Sequence, residues 1–223
     1  MSSDGMREEP AKLCLAMIIQ VLLGAFLLRW SMRFLFRNKV RFAADLPAGP
    51  ILFACNHRSF LDPPYVGTWI DRPMSYFARA NLWKIPVAKQ FLNIFGGLPI
   101  DRDMPQMAVM RQTVEWLRGG RRILVFPEGT RTTTGRMGEM REGAAMFSRR
   151  ADVPIVPVYV HNSDRVWPRG ALFMRPGGAK LEIRYGAPVK APAHLSPRMR
   201  DRVLTEFLRR WMARQERDLR GPA

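Results

Sequence analysis

With 223 residues, 47% of them hydrophobic, the chain can bury one sizeable core, whereas two domains would each be small. Lys and Arg number 36 against 19 Asp and Glu, and the resulting charge of +17 draws the protein to anionic surfaces, phospholipid headgroups and phosphorylated substrates among them. No zinc-finger spacing, RNP-type aromatic block or basic coiled coil accompanies that charge, and the arginines are spread along the chain, so no nucleic-acid partner is expected.

Residues 1–10 are polar and small, which predicts poor order. Residues 13–28 are almost wholly apolar, broken only by Gln20, and Arg29, Arg33, Arg37 and Arg41 then alternate with Trp30, Phe34, Leu35 and Phe36. As a helix this run is about 24 Å long at about 1.5 Å per residue, short of the roughly 30 Å hydrocarbon core. Residues 1–40 are therefore read as a membrane-associating helix that spans the bilayer or lies in its interface. The arginines on its C-terminal side put the remaining domain, 41–223, at the cytoplasmic face of the cell membrane. A helix simply packed on the domain is the alternative.

Strand and helix signals then alternate. Residues 40–44 predict an edge strand and 51–55 a buried one, with helix over 63–70 and strand over 74–78. Leu82, Ile85, Val87, Phe91, Leu92 and Phe95 recur at helical intervals that Pro86 divides in two, and Gly96 and Gly97 stop them. A short strand over 98–100, a helix over 107–118 closed by Gly119 and Gly120, and a buried strand over 122–126 follow. Helix over 142–149, buried strand over 153–160, a more exposed strand near an edge over 181–185 and a helix opened by Ser196 and Pro197 complete the chain. In that last helix Val203, Leu204, Phe207, Leu208, Trp211 and Met212 form the apolar face. The alternation predicts an α/β fold with a mixed, mostly parallel sheet flanked by helices.

The chemistry concentrates where the 51–55 strand runs into Asn56 and His57, since ligand sites in open α/β sheets favour the C-terminal strand edge. Asp62 precedes Pro63, a pattern that suits a helix N-cap with proline at the first helical position. If the loop turns back, the same carboxylate reaches the imidazole, fixes its tautomer and leaves His57 as a general base. A second polar loop, Phe126-Pro127-Glu128-Gly129-Thr130-Arg131, follows another buried strand and offers a permissive glycine, a hydroxyl and a guanidinium fork suited to phosphate oxygens.

Other chemistries lack their signatures. Gly129 and Gly135 have the wrong separation for a P-loop, and no nucleophile elbow, His-Glu-x-x-His pair or Cys/His zinc spacing occurs, so no metal or bound cofactor is expected. Cys14 and Cys55 read as reduced, buried thiols, and His161 and His194 as structural or solvated.

Four blocks in order resemble the 1-acyl-sn-glycerol-3-phosphate acyltransferase family, the PlsC-type lysophospholipid acyltransferases. They are Asn56-His57 with Asp62, Gly97-Leu98-Pro99-Ile100-Asp101-Arg102, the 126–131 loop, and Val153-Pro154-Ile155-Val156-Pro157-Val158. Leu98 and Pro99 stand where the family often has bulkier residues, and Arg141 where it commonly has lysine. The resemblance implies that His57, oriented by Asp62, deprotonates the hydroxyl of a lysophospholipid for direct attack on acyl-CoA or acyl carrier protein as co-substrate, giving phosphatidic acid. It assigns Arg102, Glu128, Gly129, Thr130 and Arg131 to the glycerol phosphate and a supporting role to Asn56. Glu128, a carboxylate beside phosphate, is expected to align an arginine or a glycerol hydroxyl, and backbone N–H groups around Gly129 to meet the oxyanion. Another lysolipid or glycerol 3-phosphate as acceptor, or a catalytically idle basic membrane-binding module, are the alternatives.

Overall fold

The computed structural model describes residues 37–101, 103–132, 136–171, 174–175 and 180–220, preceded by 23, 26–27 and 30–31. The expected membrane helix therefore lies largely outside the described residues. Leu23, Phe26, Leu27 and Trp30 are described, and all four are exposed. Among the described residues no helix is long and apolar enough to cross a membrane.

Seven described strands form one sheet, β1 (Arg37–Phe42), β2 (Leu52–Cys55), β3 (Met74–Arg79), β4 (Gly97–Ile100), β5 (Arg122–Val125), β6 (Ile155–His161) and β7 (Lys180–Tyr185). Their order is β1-β7-β6-β2-β5-β3-β4. Every pairing is parallel except β6 with β7, so the expected mixed, mostly parallel sheet is the one observed. β1 straddles the boundary drawn at residue 40 and belongs to the sheet.

β2 lies between β5 and β6, with Leu52 level with Ile123 on one side and Ile155 on the other. Its side chains alternate between two cores, which is why its sequence is apolar without interruption. Ile51, Phe53 and Cys55 enter the layer with Tyr65 and Val66, while Leu52 and Ala54 meet Leu117, Leu204, Leu208 and Met212. Burial pushes the Cys55 thiol well above its ordinary range, which fits an inert core residue.

The helices are α1 (Asp62–Thr68), α2 (Pro86–Ile94), α3 (Gln106–Arg118), α4 (Gly143–Ala151), the short α5 (Ser163–Val166) and α6 (Pro197–Arg220), with a 3-10 turn at Ala80–Lys84. Pro86 does separate that turn from α2, since it can open a helix but cannot continue one. Between α2 and β4 the chain turns at Gly96, whose φ is +76° and where a Cβ would sit 2.4 Å from the carbonyl oxygen of Met74. Leu204, Leu208 and Met212 give α6 one buried stripe, each residue stabilising the docked helix by about 1.5–3 kcal/mol.

Three local expectations are corrected. β7 is not an exposed strand, because β1 pairs along its outer side and Leu181, Glu182, Ile183 and Tyr185 are buried. On α6, Val203 and Phe207 are each 40% exposed, so the packed stripe is narrower than the apolar pattern. Asp62 does not cap α1: Leu61 holds the N-cap position, Asp62 is the first helical residue, and its carboxylate faces the preceding loop.

Candidate active site

The parallel strands β2, β3, β4 and β5 end on one edge of the sheet, so their C-terminal loops gather there by topology alone. Asn56 continues β2 beyond its last strand residue. Its side chain copies a backbone ladder, Nδ2 donating to Val160 O at 3.0 Å and Oδ1 accepting from Val160 N at 2.7 Å. That is a physical form for the supporting role, because it holds the start of the His57 loop against β6.

The loop 57–61 then wraps around one carboxylate oxygen. Asp62 Oδ2 accepts from the backbone N–H of Arg58 at 2.7 Å and of Ser59 at 2.8 Å, and lies 2.9 Å from His57 Nδ1. Two backbone donors orient Asp62, and the oxygen they share lies against Nδ1, which assigns the ring proton of the uncharged imidazole tautomer to Nδ1. Nε2 is left as the nitrogen able to accept a proton. The ring is 18% exposed and stacks on Phe126 with centroids 3.8 Å apart, which fixes its plane.

Glu128 joins this loop to the next. Oε1 accepts from His57 N at 2.8 Å and Oε2 from Gly138 N at 2.6 Å, while Thr132 N donates to His57 O at 3.0 Å. Glu128 is therefore a buried clamp between backbone segments, a task that the motif alone did not reveal. Burial pushes its carboxyl above the ordinary value, opposed by the N–H groups of Gly138 and His57. A carboxyl whose folded pKa is raised binds its proton more readily when folded, so its contribution to stability falls as pH rises through that pKa.

Glu128→Gln tests the clamp. The amide offers one oxygen for two backbone donors, so one link breaks, a loss of about 1.5–3 kcal/mol that relief of a buried charge partly offsets. The expected result is a roughly tenfold lower kcat, by the same magnitude applied to loop position, with little change in Tm near neutral pH. Thermal melts across pH check the sign: the variant should gain on wild type as pH rises.

Beyond the clamp opens a cleft of about 340 Å³ lined by Thr130, Arg131, Arg136, Arg141 and Arg169, with Glu128 at its wall. Arg131 lies over the Phe60 ring, its Cζ 3.6 Å from the centroid, and Arg169 donates to Arg131 O at 3.1 Å. Burial, then the like charges of Arg169 and Arg79, hold the Arg131 guanidinium below its ordinary value, with Asp62 pulling the other way. Its Nη1 is buried without a hydrogen-bond partner. Crowded cations with a spare donor suit a ligand carrying more than one negative charge, as a phosphate monoester does.

Gly129 adopts φ +70°, a turn that L side chains rarely take, beneath the Arg141 guanidinium. Its own N–H donates to Phe126 O at 2.9 Å, so it is not among the donors left for an oxyanion. Arg102 lies outside the described residues, just after Asp101 at the end of β4. The sequence reading missed Arg136 and Arg169 as cleft residues and gave Arg141 only a passing place. Nothing local separates them from the many other arginines.

Comparison with known proteins fits this geometry. A 1-acyl-sn-glycerol-3-phosphate acyltransferase of Pseudomonas aeruginosa is 28% identical over 150 residues, 66% of this chain and 58% of that protein. A probable 1-acyl-sn-glycerol-3-phosphate acyltransferase of Mycoplasma genitalium is 34% identical over 125 residues, 53% of this chain and 46% of that one. The chain thus spans under two thirds of either relative. The crystal structure of the 1-acyl-sn-glycerophosphate acyltransferase PlsC from Thermotoga maritima shares the fold, with TM-score 0.70 at 20% identity over 98% of this chain and 86% of that one. The model of the family described as Acyltransferase matches residues 37–161, more than half the chain and all of the segment that carries His57, Asp62 and the 126–131 loop, and the chain belongs to that family.

Proposed function

We propose that the chain transfers a fatty acyl group from acyl-CoA or acyl carrier protein to the free hydroxyl of 1-acyl-sn-glycerol 3-phosphate, giving phosphatidic acid. One observation carries this reading: the His57 loop and the arginine cleft are bonded to each other through Glu128 and Thr132, so a base and a phosphate site are held in fixed relation. A lysophosphatidate anchored by phosphate on Arg131 and its neighbours presents its glycerol hydroxyl toward His57.

His57 Nε2 takes the hydroxyl proton as the oxygen attacks the thioester carbonyl carbon, and Asp62 stabilises the imidazolium that forms. Collapse of the tetrahedral intermediate breaks the carbon–sulfur bond, and the thiolate leaves with the proton returned by His57. No acyl-enzyme is required, and the buried Cys55 takes no part. Arg102 joins the phosphate site in this reading on the resemblance of the 97–102 block alone.

The reaction is assigned to the cytoplasmic face of the cell membrane, where anionic lipid attracts a chain of charge +17. Exposed Leu23, Phe26, Leu27 and Trp30, and exposed Ile85, Val87 and Phe91 beside Lys84 and Lys89, support contact with lipid.

An acceptor panel tests the function. Purified protein is incubated with labelled acyl-CoA or, separately, labelled acyl carrier protein, and offered lysophosphatidate, glycerol 3-phosphate or monoacylglycerol. Label should enter phosphatidic acid from lysophosphatidate, with monoacylglycerol a poor acceptor. Equal acylation of monoacylglycerol would show that the arginine cleft does not select the substrate, and preference for glycerol 3-phosphate would reassign the acceptor.

A further inference from the structure

The residue between His57 and the rest of its loop carries a charge that the acyl-transfer mechanism does not use. Arg58 is 5% exposed, although its backbone N–H is one of the two that fix Asp62. Its guanidinium runs away from the cleft toward α6. Nη2 donates to Glu216 Oε1 at 2.7 Å and to the Tyr159 hydroxyl at 2.9 Å, and Nη1 lies 3.8 Å from Asp164. The Arg58 guanidinium also lies 5.7 Å from the centre of the Tyr159 ring.

A guanidinium this deep is tolerated only while its charge is matched. Burial pulls the Arg58 pKa down, and the surroundings of Tyr159, Asp164 and Glu216 outweigh it and raise the value above that of an ordinary arginine. Glu216 supplies the short charged contact, and its side chain is 17% exposed on the last turns of α6. The helix that closes one core therefore also ends in a bond to the loop that holds the base. α6 has a second anchor toward its other end, where Arg149 meets Asp201 through two bonds of 2.8 Å. That anchor touches no part of the His57 loop.

We propose that Glu216 is a positioning residue for the His57–Asp62 pair, acting through Arg58, so that this one bond from the end of the C-terminal helix, rather than the docking of the helix as a whole, sets the rate of the chemical step. The proposal rests on the reading of His57 as the base. Without Glu216 the Arg58 side chain is drawn toward water, its N–H leaves Asp62 Oδ2, and the carboxylate loses one of the two backbone donors that aim it at Nδ1. Neither Arg58 nor Glu216 lines the arginine cleft, so the groups that hold the substrate stay in place. Loss of Glu216 thus lowers kcat and leaves KM for acceptor and donor unchanged.

Three variants separate positioning from mere stabilisation. Glu216→Ala is expected to lower kcat on the order of 10–10²-fold, the scale of a small misplacement at a reacting centre, with both KM values unchanged. Glu216→Gln keeps an acceptor oxygen at the same reach and recovers the larger part of the rate. Asp201→Asn loosens α6 at its other anchor and lowers Tm without lowering kcat. A second readout needs no substrate: the hydrogen-bonded Nδ1 proton of His57, assigned by its loss in His57→Ala, should exchange faster in Glu216→Ala and remain unchanged in Asp201→Asn. It reports on Glu216 independently of whether the acyl-transfer reading holds. Wild-type kcat and an unchanged Nδ1 proton in Glu216→Ala would overturn the proposal, as would equal losses of kcat in Glu216→Ala and Asp201→Asn.

Discussion

Replacing Asp62 by Asn is expected to leave a folded protein that binds both substrates and barely turns over. The asparagine oxygen can occupy the place of Oδ2 and keep the N–H groups of Arg58 and Ser59, so the loop holds its shape. What disappears is the negative charge beside the imidazolium, in a buried site where water cannot replace it. The predicted loss in kcat is about 10²–10⁴-fold, the range that general-base catalysis supplies, with KM unchanged. Steady-state kinetics beside a thermal melt checks both halves. A variant that kept its rate would mean that Asp62 only shapes the loop.

Arg131→Ala should act on binding. The side chain is stacked on Phe60 and lines the arginine cleft, so its planar fork is held in place for phosphate oxygens. Losing it should raise KM for lysophosphatidate by about 10- to 100-fold, equivalent to about 1.5–3 kcal/mol for hydrogen bonds to a charged group. The rate at saturating acceptor should stay near that of wild type. Arg131→Lys should recover only part, since an ammonium has neither the planar stack nor the two-pronged contact. Unequal effects on acceptors with and without phosphate would tie the loss to the headgroup, and equal effects would contradict the assignment.

The buried strands were legible because each is flanked by other strands or covered on both faces, and continuous apolar runs such as 51–55 and 153–160 record that directly. The His57 loop was legible as a pattern, yet the same Asp-Pro pair suits a helix cap. The choice between cap and acceptor depended on where the 57–61 backbone points its N–H groups. β7 reads as exposed because its charged residues alternate with apolar ones. Only the long-range pairing with β1 buries Glu182, within reach of Lys39, Arg41 and Arg184.

The least legible part was what connects segments. Glu128 carries no local mark of clamping His57 to Gly138, since its partners are backbone groups supplied by folding. Arg58 and Glu216 are 158 positions apart, and Arg169 reaches the cleft from the far side of β6. In a chain with 36 Lys and Arg, local spacing cannot tell these arginines from solvated ones.

In the proposed reaction His57 is the base for acyl transfer to lysophosphatidate. The most direct measurement pairs wild type with His57→Ala, both shown to be folded, each given lysophosphatidate with labelled acyl-CoA and with labelled acyl carrier protein. Labelled phosphatidic acid from wild type, and none above background from His57→Ala, is the predicted result. Equal product from the two proteins would contradict it.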